Sequence, residues 1–280
     1  MKREMSLSRG YRCYIHFFRF ATSVATSFTT NPWLFGFRPD PRASSRLFCF
    51  PYAGGGPRTY AKWAESLPST VEAGLVQFPG RAGRFNEPPI TRLSDLIEAL
   101  GHGLRPNLDK PFAFFGHSLG ALLCFELARY IRREFGLLPM HLFVSARGAP
   151  QTDPLVPPIH ALPEPAFLEE IRRLNGTPEE VFETPELLEM IVPILRADFA
   201  LNETYSYSPE PPLDCPITVL GGSLDTSTNY ECLAAWQDQT TSTFTMRLLP
   251  GDHFFINNAR AFILEVLKEE LKLNRETPRC

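Results

Sequence analysis

The sequence predicts an α/β protein in which a mostly parallel sheet carries helices on both faces and a helical insertion forms a lid. Three observations predict this fold class. From Arg46 onward, short apolar runs alternate with amphipathic helical patterns, as they do in parallel α/β proteins. The runs are almost continuously apolar, which is typical of strands that are buried on both faces. Residues 150–212 interrupt this alternation with proline-rich ends that enclose further helical patterns.

The elements follow in chain order from these patterns. The six predicted strands span residues 46–51, 74–78, 112–115, 141–145, 217–221 and 244–249. The predicted helices of the main fold lie near residues 59–67, 93–105, 119–135, 228–239 and 258–273. We expect Gly136 to end the third of these helices, because glycine readily takes the left-handed conformation found just after a helix.

Two segments of the insertion carry the marks of helix starts. Thr177 is a candidate N-cap, since it is followed by Pro178 and by a glutamate three residues later. Thr184 and Pro185 begin the next helix in the same way. An insertion at the end of a parallel strand usually has a functional role when it lies over the site, so we expect a substrate-covering lid. An ordinary packed helical cap is the alternative.

Composition excludes several classes of protein. The chain has 280 residues, of which 44% are apolar and 21% charged, as in ordinary soluble globular proteins. Its formal net charge of −3 provides no basic field that would attract nucleic acid. No apolar run approaches the roughly 18 residues that a membrane span needs. The six cysteines form no C-x-x-C pair, which argues against a zinc site and favours a reducing, cytoplasmic location.

Residues 1–30 differ in composition from the rest of the chain. Basic side chains outnumber acidic ones there, and residues 14–28 are rich in aromatic, serine and threonine side chains. A targeting peptide has a similar composition, but an uninterrupted apolar core and an A-x-A cleavage site are lacking. We therefore expect a poorly ordered N-terminal extension with no part in the chemistry, with targeting as the alternative. Residues 31–280 then form one domain.

The sharpest motif is FAFFGHSLGALLCFELARY, residues 112–130. An apolar strand runs into the pattern G-x-S-x-G and directly out into an amphipathic helix. This is the nucleophile elbow of the α/β-hydrolase fold, in the strand–turn–helix context that it requires. The two glycines leave room for a tight turn, and the helix N terminus directs free N–H groups at a developing oxyanion. The motif therefore predicts that Ser118 is a nucleophile.

A nucleophilic serine needs a base, and the base needs a carboxylate that orients it. His253 follows the last predicted strand, at the sheet edge that also carries the serine, whereas His160 lies in the proline-rich start of the insertion. Asp225 follows the preceding strand and is the favoured acid. Asp153 is a rival, because it also follows a strand. Asp252 is too close to His253 in sequence to reach the far ring nitrogen comfortably.

An oxyanion hole needs two converging N–H donors. Leu119, the residue after the nucleophile, supplies one of them. The other should come from the loop after the first strand, where residues 52–56 read YAGGG and let the backbone approach a substrate closely. We predict the Ala53 N–H as the second donor. No G-K-[ST] or G-x-G-x-x-G pattern follows, which argues against nucleotide binding.

Assembled in order, these motifs resemble the type II thioesterases, the stand-alone editing enzymes that accompany nonribosomal peptide and polyketide synthases. The resemblance covers roughly residues 31–275. It is carried by RLFCFPYAGGG (46–56), VQFPGRAGRF (76–85), FFGHSLGALLCFELA (114–128), FVSARGAP (143–150), the insertion with LNGTPEEVF (174–182), ITVLGGSLD (217–225) and PGDHFFI (250–256). By resemblance, Ser118, Asp225 and His253 match the catalytic triad of that family, and the insertion matches its helical lid.

The resemblance implies hydrolysis of acyl thioesters on the phosphopantetheine arm of an acyl or peptidyl carrier protein, by a monomer that needs no cofactor and no metal. Medium-chain thioesterases of fatty acid synthesis share these motifs, and a general carboxylesterase of the same fold is a further alternative. Arg81, Arg84 and Arg147 have no assigned role. Pairing with carboxylates to anchor loops is favoured over contact with the phosphate arm or an acidic carrier-protein helix.

Overall fold

The computed structural model describes residues 31–276, so the N-terminal extension expected over residues 1–30 lies outside the described residues. The centre of the fold is one parallel sheet. Its strands are β1 (Ser45–Phe50), β2 (Val71–Leu75), β3 (Phe112–His117), β4 (His141–Ser145), β5 (Ile217–Gly222) and β6 (Phe244–Leu249). They lie in the order β2-β1-β3-β4-β5-β6, and every neighbouring pair is parallel. The predicted fold class is confirmed.

The predicted strands match the observed ones closely except at β2. The prediction of residues 74–78 is wrong, because β2 begins at Val71 and ends at Leu75. The parallel register pairs Val71 with Ser45 and ends with Leu75 opposite Cys49, and the next residue, Val76, forms an antiparallel bridge with Leu34. The apolar run at 74–78 therefore contains the last two paired residues of β2, and its other residues are buried beyond the end of the strand.

Both faces of the sheet are buried, as the continuous apolar runs predict. Along β1, Phe48 and Phe50 point into one core while Leu47 and Cys49 point into the other. All four side chains are fully buried. Cys49 is a free thiol that packs as a small apolar side chain.

The helices cover the two faces. They are α1 (Ala61–Ala64), α2 (Leu93–Leu104), α3 (Leu119–Phe135), α4 (Glu164–Arg173), α5 (Glu179–Phe182), α6 (Pro185–Glu203), α7 (Tyr230–Ala234) and α8 (Arg260–Glu276). α2 and α3 pack on one face, and α1 and α8 pack on the other. α3 ends at Gly136 with a φ of 64°, as expected. The predicted helices 59–67 and 228–239 are instead short α-helices, each joined to a 3₁₀ turn.

Three helices, α4, α5 and α6, lie between β4 and β5 within the predicted insertion. They enclose a small apolar core of their own, which includes Phe167 and Leu195. Thr184 is the N-cap residue of α6 and Pro185 its first helical residue, as predicted. The prediction for Thr177 is wrong, because α5 starts one residue later, with Pro178 in the N-cap position and no capping side chain.

Within residues 31–276, no helix is both long enough and apolar enough to cross a membrane. The same residues contain no group of three or more His, Cys, Asp and Glu side chains that could hold a metal ion.

Candidate active site

Ser118 lies at the sharp turn between β3 and α3. Its φ of 55° and ψ of −117° are unusual for a residue other than glycine. The flanking glycines explain how the turn fits: a Cβ on Gly116 would lie 2.1 Å from the Gly120 carbonyl oxygen, and a Cβ on Gly120 would lie 2.2 Å from the Phe50 carbonyl oxygen. Ser118 is half-buried at the start of α3, where the helix dipole provides a positive potential.

Asp225 and His253 lie together at the carboxyl edge of the sheet. Asp225 follows β5 and His253 follows the adjacent strand β6. His253 Nδ1 donates a hydrogen bond to Asp225 Oδ2 over 2.8 Å. The aspartate side chain is 1% exposed and the histidine side chain 21%. Because Nδ1 carries the proton in this bond, Nε2 of the neutral ring has the lone pair that can accept a proton.

Ser227 is a third member of this arrangement, which the sequence analysis did not single out. Its backbone N–H and its Oγ–H both donate to Asp225 Oδ1, over 2.9 and 2.6 Å, and its Oγ lies 2.9 Å from His253 Nδ1. Burial alone raises the pKa of Asp225, but the hydrogen bonds from His253 and Ser227 outweigh it, so this pKa lies below its ordinary value. The carboxyl is therefore ionised at neutral pH. A serine two residues after an aspartate is typical of an Asx turn, which is the signal that could have found it.

His117 connects the loop of His253 to the elbow. Its Nε2 donates to the His253 carbonyl oxygen over 2.9 Å, since a carbonyl only accepts, and its Nδ1 accepts from Ser145 Oγ over 2.9 Å. The Ser145 carbonyl in turn accepts the Ser118 N–H over 2.8 Å. Burial, followed by the charge of His253, lowers the pKa of His117 to about 3. The His117 ring is therefore neutral at neutral pH.

These contacts hold His253 at the edge that carries Ser118, but among the described residues no hydrogen bond joins Ser118 Oγ to His253 Nε2. The rings of His117, the residue before the serine, and His253 are 5.4 Å apart between centroids. Catalytic hydrogen bonds are often long in the absence of substrate and shorten when it binds. The arrangement can therefore support proton transfer from serine to histidine.

The loop after β1, residues 52–56, is called the glycine loop below. The N–H groups of Ala53 and Leu119 donate no hydrogen bond within residues 31–276, whereas the two N–H groups that follow Ala53 are occupied. Gly54 N–H donates to Asp198 Oδ2 over 2.7 Å, and Gly55 N–H donates to a carbonyl of the same loop. The start of α3 packs against the end of β1, which brings the glycine loop next to the elbow. Two free N–H groups are thus available near the serine.

Two of the three rival site residues have other partners. His160 Nδ1 lies 2.7 Å from a glutamate oxygen at the end of α6. Asp153 is exposed, and Asp252 accepts a backbone N–H of its own turn over 2.9 Å. None of these three hydrogen-bonds to the His253 side chain within the part of the chain that the structure describes. The geometry favours Asp225 over Asp153 as the partner of the histidine.

The three unassigned arginines have partners of different kinds. Arg81 forms a buried bidentate ion pair with Asp198 of α6, both bonds being 2.7 Å long. Arg84, whose side chain is 10% exposed, forms an ion pair of 2.6 Å with the exposed Glu87. Arg147 donates to a side-chain amide of α6, and burial lowers its pKa to about 10. Arg81 and Arg84 thus have the carboxylate pairing that the sequence analysis favoured.

Comparison with known proteins agrees with this geometry. The family model of the thioesterase domain matches residues 45–271. The chain is 41% identical over 243 residues to the gramicidin S biosynthesis protein GrsT of Aneurinibacillus migulanus, which covers 87% of this chain and 95% of that protein. The type II thioesterase BorB from the borrelidin biosynthetic cluster superposes with a TM-score of 0.79 at 36% identity, over 88% of this chain and all of that one (100%). ClbQ from the colibactin NRPS/PKS pathway superposes with a TM-score of 0.78 at 30% identity, over 83% and 99%.

Proposed function

This chain belongs to the thioesterase family, and from that premise we propose that it is a type II thioesterase, which hydrolyses acyl thioesters on the phosphopantetheine arm of carrier proteins. The similar proteins are named for gramicidin S biosynthesis, for a borrelidin cluster and for an NRPS/PKS pathway. We infer the same setting for this chain. Its task there is the removal of aberrant acyl groups that would block nonribosomal peptide or polyketide synthesis.

In the first half of the reaction, Ser118 Oγ attacks the thioester carbonyl carbon while His253 Nε2 takes the hydroxyl proton. The carbonyl oxygen becomes an oxyanion, to which Leu119 and Ala53 donate their N–H groups. The tetrahedral intermediate then breaks its carbon–sulfur bond, and the pantetheine thiolate receives the proton from His253. The observation that carries this proposal is the hydrogen bond of 2.8 Å between Asp225 and His253 beside the elbow.

In the second half, a water molecule attacks the acyl-serine and gives its proton to His253 Nε2. A second oxyanion forms and occupies the same two N–H groups. Its collapse breaks the bond to Ser118 Oγ, which recovers the proton from His253, and the carboxylic acid leaves. In both halves the ionised Asp225 holds the ring in its productive tautomer and stabilises the imidazolium.

The contacts of the insertion support a lid over this site. A Cβ on Gly176, between α4 and α5, would lie 2.3 Å from the ring of Phe254, so the backbone there lies directly on that ring. The Phe254 ring packs edge-on against the His253 ring, with centroids 5.2 Å apart. On the other side, Leu195 of α6 packs against Gly54 of the glycine loop. We propose that the lid excludes water and bounds the acyl pocket.

The experiment that tests this function compares three substrates with the wild-type chain and with Ser118→Ala. They are an acetyl group on a phosphopantetheinylated carrier protein, acetyl-coenzyme A and a p-nitrophenyl ester. We expect a higher kcat/KM for the carrier-bound thioester, because docking of the carrier adds binding energy that free thioesters lack. Ser118→Ala should lose turnover on all three, because it removes the atom that forms the covalent intermediate.

Three results would contradict the proposal. Equal or faster cleavage of the oxygen ester would indicate a general carboxylesterase with the same machinery. With a medium-length acyl chain loaded on the same carrier as a fourth substrate, a marked preference for it over acetyl would indicate a thioesterase of fatty acid synthesis. Unchanged activity of pure Ser118→Ala would contradict the serine mechanism itself.

A further inference from the structure

A buried ion pair connects the lid to the main fold beside the glycine loop. Arg81 Nη1 and Nη2 each donate to one carboxylate oxygen of Asp198, both over 2.7 Å. The Asp198 side chain is 1% exposed and the Arg81 side chain 8%. Asp198 lies on α6 and Arg81 lies in the loop that follows β2. A bidentate, charge-assisted pair of this kind is strong and fixes the relative orientation of its two partners.

The same two side chains hold the backbone of the glycine loop. Asp198 Oδ2 accepts the Gly54 N–H over 2.7 Å, and Arg81 Nη1 donates to the Gly55 carbonyl oxygen over 3.0 Å. Gly54 has a φ of 73°, and a Cβ there would lie 2.5 Å from Leu195 Cδ2, so α6 packs directly on this backbone. One carboxylate and one guanidinium thus bind consecutive residues of the loop.

We propose that Arg81 and Asp198 are positioning residues that direct the Ala53 N–H at the oxyanion. The peptide group that carries the Gly54 N–H is the one that follows Ala53, so fixing it restricts the backbone at Ala53. The hydrogen bond to Asp198 also occupies the Gly54 N–H, so the Ala53 N–H is the one left for the substrate. A donor whose direction is set before the reaction needs no reorganisation when charge develops. The inference rests on the proposed function in that it takes Ala53 as an oxyanion donor.

A neighbouring ion pair provides a matched control. Arg84 and Glu87 form an arginine–carboxylate pair of the same chemistry a few residues further along the chain, at 2.6 Å. The Glu87 side chain is 48% exposed, and within residues 31–276 neither side chain of this pair hydrogen-bonds to the glycine loop. Loss of this second pair removes a salt bridge from the same segment without releasing the loop.

The test compares Asp198→Asn with Glu87→Gln. Active sites are counted in a separate sample of each protein by complete reaction with a fluorophosphonate, so that unfolded protein does not count. We then measure kcat and KM for p-nitrophenyl acetate and the affinity for a boronic acid, whose tetrahedral serine adduct mimics the intermediate. Asp198→Asn should lower kcat per site on the order of 100-fold with KM unchanged, as loss of one oxyanion donor does, and weaken boronic acid binding by a similar factor. Glu87→Gln should leave kcat per site and the affinity for the boronic acid at their wild-type values.

A purely structural ion pair would lower the number of active sites and leave kcat per site and boronic acid binding at their wild-type values, which would overturn the proposal. Should Asp198→Asn not fold, the double variant Arg81→Met with Asp198→Leu removes both buried charges and is measured in the same way. A lower kcat per site with weaker boronic acid binding would support the proposal, and wild-type values of both would overturn it. Because these measurements use a small oxygen ester, they stand even where carrier-bound thioesters are not cleaved. A lack of cleavage of carrier-bound thioesters would overturn the proposed function and leave the inference about Arg81 and Asp198 in place.

Discussion

At the level of single residues, His253 is held through both its side chain and its backbone. Asp225 accepts from Nδ1, and the buried His117 ring donates to the His253 carbonyl oxygen. The first contact decides which nitrogen carries the proton, and the second decides where the ring stands relative to the elbow. His117 thus fixes the backbone that carries the ring, whereas Asp225 fixes the tautomer and orientation of the ring itself, and an amide in place of the Asp225 carboxyl should change the tautomer with the backbone still in place.

The substitution Asp225→Asn tests this division. An amide of the same size can donate to Nδ1, which places the ring proton on Nε2 and removes the base. We expect kcat to fall by roughly 10⁴, the loss seen when the orienting carboxylate of a catalytic serine–histidine pair becomes an amide. The measurement is hydrolysis of an acyl-coenzyme A per titrated active site.

Asp153→Asn is the matched control for that substitution, since Asp153 is the exposed aspartate that follows the preceding strand. It should retain wild-type kcat. A small loss with Asp225→Asn together with a large loss with Asp153→Asn would transfer the role of the acid to Asp153.

The candidate site was predictable from the sequence where each residue stands in a local motif. Ser118, Asp225 and His253 each follow a short apolar strand, so parallel pairing alone brings them to one edge. Among the partners that complete the site, Ser227 carries the weaker signal of an Asx turn, and Asp198 carries no local signal. Asp198 is 117 residues from Arg81 in the chain and lies on a helix whose buried face depends on how the lid packs.

At the level of elements, the elbow depends on how closely α3 approaches β1. A Cβ at Gly120 would lie 2.2 Å from the Phe50 carbonyl oxygen and 2.9 Å from that of Pro51. Both atoms belong to backbone, so neither can rotate away. The same approach places the free N–H of Leu119 beside the glycine loop, so the separation of β1 and α3 bears on stability and, in the proposed mechanism, on catalysis.

The substitution Gly120→Ala should therefore displace α3 from β1. We expect the free energy of unfolding to fall by about 1–3 kcal/mol, as for overpacked sites, and kcat to fall with it, because Leu119 moves with the helix. Urea denaturation and ester hydrolysis measure the two effects. Gly56→Ala is the control, since a Cβ there meets nothing within 4 Å. Equal effects of the two substitutions would show that the approach of α3 has no special role.

Elements were predictable where a local signal and the packing agree. α3 follows the apolar periodicity and ends at Gly136, whose φ of 64° suits glycine. The limits of β2 were not predictable, because Val76 is buried by a bridge to Leu34, a residue outside the sheet. The start of α5 was also missed, since a threonine–proline pair fits two adjacent starting positions and only the packing of the lid selects one of them.

At the level of the whole molecule, one buried imidazole connects three segments that are distant in sequence. His117 lies at the end of β3 and contacts Ser145 at the end of β4 and His253 in the loop after β6. These segments meet only in the folded domain. Protonation of His117 would place a charge in this buried site and turn its Nδ1, which accepts a hydrogen bond, into a donor. The protonation of one residue is thereby coupled to unfolding of the domain.

This coupling predicts how stability depends on pH. In the unfolded chain His117 has its ordinary pKa near 6.5, whereas in the folded protein burial lowers it to about 3. Between these values the unfolded state binds about one proton more than the folded state, so the free energy of unfolding falls as the pH is lowered, by up to about 1.4 kcal/mol per pH unit. His117→Gln removes this titration while keeping a side chain that can both donate and accept. Urea denaturation of both proteins from about pH 7.5 to about pH 4.5, which covers the upper part of this window, should show a shallower decline for the variant, whatever its stability at neutral pH. Parallel curves would mean that His117 takes up its proton equally in both states and does not link the three segments in this way.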